Sequence, residues 1–496
     1  MSIAADADHH DRFHVKVTPA YILLAILAIA TLYFYQDPES NGNSRLAVTR
    51  AVVEHGSLQI DSYLQQANWE SVDKAFYNGH YYGDKAIGAW LLAVPFYFVI
   101  FKLFGLLSSM AIKHSLTALV MGSAFTITGV LLHQIALIVS QNAWKALLAA
   151  LGVSLGTMLW PYSVVYFGHV PAAMFATLAF YLLLRWRSRA EAPSRRSLFW
   201  AGLAMGFAFI TDYTTALIIA GLLVYAIYIV SGSGLKDWLS ASMWGFLGAA
   251  IPLSFMVAYN VLVYGTPLAF GYSHEATPAF SQGQTTGLMG IGVPNLSVLY
   301  HISVDPRFGL FWQSPVLLLA VVGFIASLRR RAWRVEAALC LYVILSLLLM
   351  NAGYFLWWGG AVSGPRFLIV ALPFFIVPLA LVPDRLTWLL GILAAVSAGQ
   401  MMIPLLGTIL VPLSYDPTTD QFSINAPFNG FSILYQYGIP IIFKLHQKGT
   451  LPWTLGSAVR LRYRFSAALL VVVEGLLIGL LYRVTRTKKR ASGSTG

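Results

Sequence analysis

Charge is scarce in this 496-residue chain: 10% of the residues are Asp, Glu, Lys or Arg, and 58% are hydrophobic. A soluble domain carries about 25% charged residues. The shortage excludes a soluble globular protein, a disordered chain and a nucleic-acid binder. Cysteine is nearly absent, and the single Cys340 lies in an apolar run, so no internal disulfide can form. No glycine pattern of the Rossmann or P-loop kind is present, so no nucleotide site is indicated. Short alternating segments of the β-barrel kind are missing as well. What the chain does have is continuous apolar runs, many of them about 20 residues long, the length of a bilayer-spanning helix. The expected class is an all-α polytopic integral membrane protein.

The apolar runs cover 19–35, 87–107, 114–140, 145–161, 163–184, 198–211, 214–231, 239–263, 314–328, 336–352, 367–382, 386–412 and 465–483. That predicts a bundle of 12–13 transmembrane helices. The N-terminus lacks a signal-peptide n-region, so the first run is expected to stay as a helix. The net charge of +12 resides in short basic clusters beside apolar runs, including Arg185 to Arg196, Arg329 to Arg334 and Arg486 to Arg490. The positive-inside rule places these in the cytoplasm. The expected division is a cytoplasmic tail (1–16), a transmembrane module (17–412) with outer loops 36–86, 265–313 and 353–366, an outer loop 413–464, and a last helix with a basic tail (465–496). One conflict stands. Between Lys85 outside and Gln141 inside the chain needs an odd number of crossings, yet it shows two apolar runs, one of which must be re-entrant or interfacial.

Polar residues are unevenly spread. Seven of the 20 acids lie in the first outer loop: Asp37, Glu39, Glu54, Asp61, Glu70, Asp73 and Asp84. Few ionisable groups fall mid-span, and Lys102, Lys113 and Asp212 lie near span ends. A pump or secondary transporter needs paired charges near the midplane, so the pattern favours an enzyme working at the outer membrane–water boundary. In that loop, residues 44–55 read as an interfacial helix, with Ser44 as N-cap and Gly56 as C-cap. Two Asp-Lys pairs, Asp73-Lys74 and Asp84-Lys85, flank His80, Tyr81 and Tyr82, and rings beside carboxylates suit a sugar. Later outer segments add His274-Glu275, Asp305-Pro306-Arg307, Trp357-Trp358-Gly359-Gly360 and Gly364-Pro365-Arg366. Arginines at loop-to-helix junctions can hold a phosphate with bidentate geometry, although headgroup anchoring explains either one alone. His169 and Asp212 have the cheaper readings of a structural histidine and a helix cap.

The runs Asn43-Ser44-Arg45 to Glu54-His55-Gly56, Tyr81-Tyr82-Gly83-Asp84-Lys85, Asp305 to Phe311, Gly168-His169, and Trp357-Trp358-Gly359-Gly360 with Gly364-Pro365-Arg366 resemble the GT-C membrane glycosyltransferases, in the protein O-mannosyltransferase and aminoarabinose-transferase clade. The resemblance covers roughly residues 20–380. It implies a GT-C-like helical bundle with a long first outer loop. It also implies inverting transfer of a sugar from a polyprenyl-phosphate carrier to a glycan, lipid or protein hydroxyl. The place would be the outer face of a bacterial inner membrane. The family's catalytic acid usually opens the first-loop helix. Here Gly42-Asn43 stand there, so Asp61 or Asp73 is expected as the base, with Asp37 a shifted alternative. Lys85, Arg307 and Arg366 are expected on the carrier phosphate. Asp84, Lys74, His80, Tyr81, Tyr82, Glu275, Trp357 and Trp358 are expected around the substrate. A divalent metal would use Asp84 with His169 or His274, though no spacing here is a metal motif. A lipid-linked sugar flippase and a non-catalytic scaffold are the rival readings.

Overall fold

The computed structural model describes residues 19–189, 194–231, 234–416, 419, 421–424, 432–448, 453–455 and 463–492. The predicted N-terminal tail (1–16) and much of 413–464 lie outside them. The architecture is that of a helical, polytopic membrane protein. Its main helices are α1 Pro19–Leu32, α2 Glu39–His55, α3 Gly88–Phe104, α4 Ser109–Ser140, α5 Ala143–Leu155, α6 His169–Arg189 and α7 Arg195–Thr211. They continue as α8 Thr215–Val230, α9 Leu235–Tyr264, α10 Pro315–Arg329, α11 Arg334–Gly353, α12 Arg366–Leu381, α13 Asp384–Leu406 and α14 Tyr463–Ser492. Among the described residues, five helical stretches reach 18 residues with high apolarity: Ser109–Ser140, His169–Ser188, Leu235–Tyr264, Arg331–Gly353 and Asp384–Leu406. The β-structure is minor: hairpins Ala75–Tyr77 with His80–Tyr82 and Leu413–Asp416 with Gln421–Ile424, and a bridge of Phe34–Tyr35 to Trp453–Thr454.

Ion pairs join distant segments of the bundle. Arg187 pairs with Glu336 and donates to the Ala332 carbonyl at 3.0 Å, so the basic segments after α6 and before α11 meet. Lys145 reaches Asp384 at 2.7 Å at the same kind of junction, between α5 and α13.

The packing of α3 bears on the parity conflict. Arg45 donates to the Ala86 carbonyl, Thr49 to Trp90 and Tyr97 to Glu54, so the first half of α3 packs beside α2. α2 belongs to the loop layer, and α3 therefore lies in that layer too. The start of α4 is tied to the same layer. Lys113 binds Asp37 at 3.0 Å, and the Trp69 indole donates to Ser109 at 2.8 Å. That packing fits a single crossing, α4, between Lys85 and Gln141. α3 buries Gly88, Ala89, Trp90, Ala93 and Tyr97. It exposes Phe96, Phe98, Val99, Leu103 and Phe104 on its other side.

The helix expected to lie flat in the interface differs from this. α2 opens five residues early, at Glu39 after Pro38, and every residue from Asn41 to Ala51 is buried. Ser44 is not its N-cap; its hydroxyl is buried without a partner. Gly56 does end the helix, in the left-handed conformation with φ 63°. A mid-span acid also went unread in the sequence: Glu474, on α14, keeps both carboxylate oxygens buried without a hydrogen-bond partner.

Candidate functional site

A cavity of about 270 Å³ lies between the start of α2, the outer end of α6 and the loops around Glu275 and Gly359. Backbone pairing assembles it. Ala75 bridges to Glu275, and the Ala276 N–H donates to the Lys74 carbonyl at 2.9 Å, so the loop after α9 is laid along the first-loop hairpin. Gly271 makes that approach sterically allowed: a Cβ there would stand 2.5 Å from the Asp84 carbonyl oxygen. Gly359 and Gly360, at φ 79° and 80°, fold the later loop over Arg366 in a conformation that favours glycine.

One wall is acidic and nearly saturated. Lys85 stands 2.8 Å from Asp73, contacts Asp84, and lies 3.9 Å from Glu275. Burial would raise the Asp73 carboxyl, but the Lys85 ammonium outweighs it and holds Asp73 below the ordinary value. Glu275 goes the other way. Its burial and the neighbouring Asp84 charge push it up to about 9, so it carries a proton at neutral pH. One oxygen of Asp84 and one of Glu275 are buried without a partner.

The other wall is cationic and unpaired. Arg45 is buried, its Nε donating to Asn41 at 3.1 Å and a terminal nitrogen to the Ala86 carbonyl at 3.1 Å. Arg366 stacks over Phe167 and Phe367, 5.2 Å from each ring centroid, and its Nε is buried without a partner. Among the described residues, neither guanidinium has a carboxylate within ion-pair distance. His169 sits in the same wall, its Nδ1 2.6 Å from Asp212. At the rim stands Glu39, exposed and lining the cavity, with φ 46°. Its N–H donates to Asp37 at 2.9 Å. Partial loss of water and the Asp37 charge raise its carboxyl above the ordinary value. Tyr272, Phe280, Tyr354 and Phe355 supply aromatic surface.

Of the residues expected from the sequence, Asp73, Lys85, Glu275, Arg366 and His169 line this cavity, with Asp84 directly behind Lys85. Others do not. Asp61 accepts from the Tyr81 N–H at 3.1 Å and lies 3.6 Å from His80, outside the lining. Lys74 covers the Tyr81 ring, and Tyr82 packs on Tyr264. Arg307 is held by Asp305 at 2.8 Å, beside His301 and over Phe422. Trp357 stacks on His301, and Trp358 packs against Tyr415. The metal set is not assembled: Asp84 is on Lys85, His169 on Asp212, and His274 is stacked on Tyr264. Among the described residues no three His, Cys, Asp or Glu side chains are placed to hold a metal ion. The sequence reading missed Arg45, which reads as the polar side of a surface helix, and Glu39, whose signal was the Pro38 before it.

Several solved structures are similar to this chain at low sequence identity. The ArnT of Cupriavidus metallidurans bound to undecaprenyl phosphate matches at 15% identity and TM-score 0.47, over 94% of this chain and 75% of that one. The Archaeoglobus fulgidus oligosaccharyltransferase matches at 12% identity and TM-score 0.43, over 78% and 56%. The arabinosyltransferase EmbB of Mycobacterium smegmatis matches at 13% identity and TM-score 0.42, over 96% and 42%. No family model matches the sequence, and no curated protein does. At these identities the chemistry has to be read from the cavity's own residues.

Proposed function

We propose that the chain is a glycosyltransferase that moves a sugar from a polyprenyl-phosphate donor to a hydroxyl acceptor, with inversion, in this cavity on the outer face of the membrane. The observation that carries the reading is the pair of uncompensated guanidiniums, Arg45 and Arg366, facing one cavity with an acidic wall opposite. Two cations in a water-poor place cost free energy unless an anion joins them. A phosphate at membrane-surface depth is such an anion, and the sequence motifs point the same way.

The chemistry follows from the charge layout. The acceptor oxygen bonds to the anomeric carbon as the bond from that carbon to the phosphate oxygen breaks. The electron pair leaves with the phosphate, and Arg45 and Arg366 stabilise the added charge. The acceptor proton goes to a carboxylate on the opposite side. Asp73 is a poor choice, because Lys85 lowers its proton affinity. Glu39, at the rim with a raised proton affinity, is the better base.

The test is turnover of Glu39→Gln, Asp73→Asn and Asp61→Asn with a prenyl-phosphate sugar, alongside donor binding. Glu39→Gln is expected to lose about 10²–10⁴-fold in rate while still binding donor, and Asp61→Asn to stay near wild type. Wild-type turnover in Glu39→Gln would move the base to Asp73.

A further inference from the structure

His169 has a placement that the phosphate reading does not use. Its side chain is 13% exposed and lines the cavity. Nδ1 is engaged by Asp212 Oδ2 at 2.6 Å. Asp212 is itself fixed: its Oδ1 accepts from the Thr214 N–H at 3.0 Å and from the Thr214 hydroxyl at 2.8 Å. An ionised carboxylate can only accept, so Nδ1 carries the hydrogen and Nε2 is the titrating nitrogen. Among the described residues Nε2 has no hydrogen-bond partner. The charged groups that face the imidazole are Asp212 on one side and Arg45 and Arg366 on the other, with the Tyr162 and Phe367 rings against it.

Two guanidiniums and one carboxylate leave a net positive charge around the ring. A bound phosphodiester cancels that charge. It also brings oxygens toward an imidazole edge that, unprotonated, could only repel them. We propose that His169 takes up a proton when the lipid phosphate binds, and that its Nε2–H then donates to the phosphate oxygen that leaves in transfer. The inference rests on the lipid-phosphate reading. The bookkeeping closes. As the anomeric carbon–oxygen bond breaks, its electrons go to the phosphate oxygen and the His169 proton follows them. The acceptor proton ends on Glu39. Exchange with water resets both groups.

The test is calorimetry of the full chain in nanodiscs with farnesyl methyl phosphate, a diester that does not titrate near neutrality. Titrations in buffers of different ionisation heat count the protons taken up. Wild type is expected to take up close to one proton per diester at pH 7.5–8, about the maximum one site can supply. His169→Gln keeps an N–H near the Nε2 position, so it should bind the diester within about threefold of wild type yet take up almost none, whereas a lost hydrogen bond to a charged group costs more. Asp212→Asn is expected to lower the proton count. A thermal melt of each variant checks folding. Equal proton counts in wild type and His169→Gln overturn the proposal and move the proton to Glu39. Absence of diester binding by wild type, or binding unaffected by Arg366→Met, overturns the lipid-phosphate reading and this inference together.

Discussion

Arg45 and Arg307 show what a sequence can and cannot reveal about a single side chain. Arg307 stands in a loop with the look of a phosphate site, but Asp305, two residues earlier, takes its guanidinium at 2.8 Å. That carboxyl is held down to about 2, because His301 and Arg307 outweigh its burial. Arg45 looks like helix decoration and proves to be a buried cation with neutral partners only. Lys85, Glu275 and Arg366 were legible because each sits in a short motif of polar residues beside glycine or aromatics. Whether a charge is already spent on a neighbour depends on distant segments, which no local pattern reports. Glu275 gives a prediction at this scale. Its folded pKa of about 9 stands above the ordinary 4.5. Between those values the folded chain holds a proton that the unfolded chain has released, so this group's contribution to stability falls as pH rises across the window. Glu275→Gln removes the titration. The variant's thermal midpoint should exceed that of wild type above about pH 5, with a gap that widens toward pH 9. Melts at pH 5, 7 and 9 read this directly; a constant or reversed gap contradicts the assignment.

Helix periods and lengths are the most readable part of such a chain, yet α2 is buried where a surface helix was expected, and α3 packs against it where a span was expected. α2 has polar residues at intervals that suit an interface, but Arg50 pairs with Glu54 at 2.8 Å, and the loop closes over it. α3 reads as a membrane span by composition, since 17 consecutive residues include one charge, Lys102. Composition alone cannot separate a short span from a helix lying along the surface. The separation comes from tertiary bonds to Ala86, Trp90 and Tyr97. Single cysteines test it. Ala67→Cys, in the first loop, and Leu106→Cys, after α3, should react with an impermeant maleimide from the same side of sealed vesicles. Arg330→Cys should react only after the opposite side is exposed. Labelling of residues 67 and 106 from opposite sides would make α3 a span and reopen the parity conflict.

At the scale of the whole molecule, the two ends of the bundle are built on opposite electrostatic plans. Around the basic segments the charges named here are paired: Arg187 with Glu336, and Lys145 with Asp384. Elsewhere, segments near residues 39–45, 73–85, 167–169, 272–284 and 354–367 converge on a cavity that leaves two guanidiniums uncompensated. Such an arrangement stores unfavourable free energy that a ligand can release, so stability and binding should be linked. A ligand at a hundred times its dissociation constant stabilises the native state by about 2.7 kcal/mol, which should appear as a rise of a few degrees in the melting midpoint. Farnesyl methyl phosphate should produce that rise in wild type and not in the Arg45→Met/Arg366→Met pair. The variant should also melt no lower than wild type without ligand, because it removes two unpaired charges. Glu336→Gln is the contrasting case. It leaves Arg187 short of its carboxylate, so the baseline midpoint should fall while the ligand-induced rise persists. A rise that survives the double arginine change, or disappears with Glu336→Gln, would mean that the anion binds elsewhere and that the outer cavity is not where charge compensation couples to the fold.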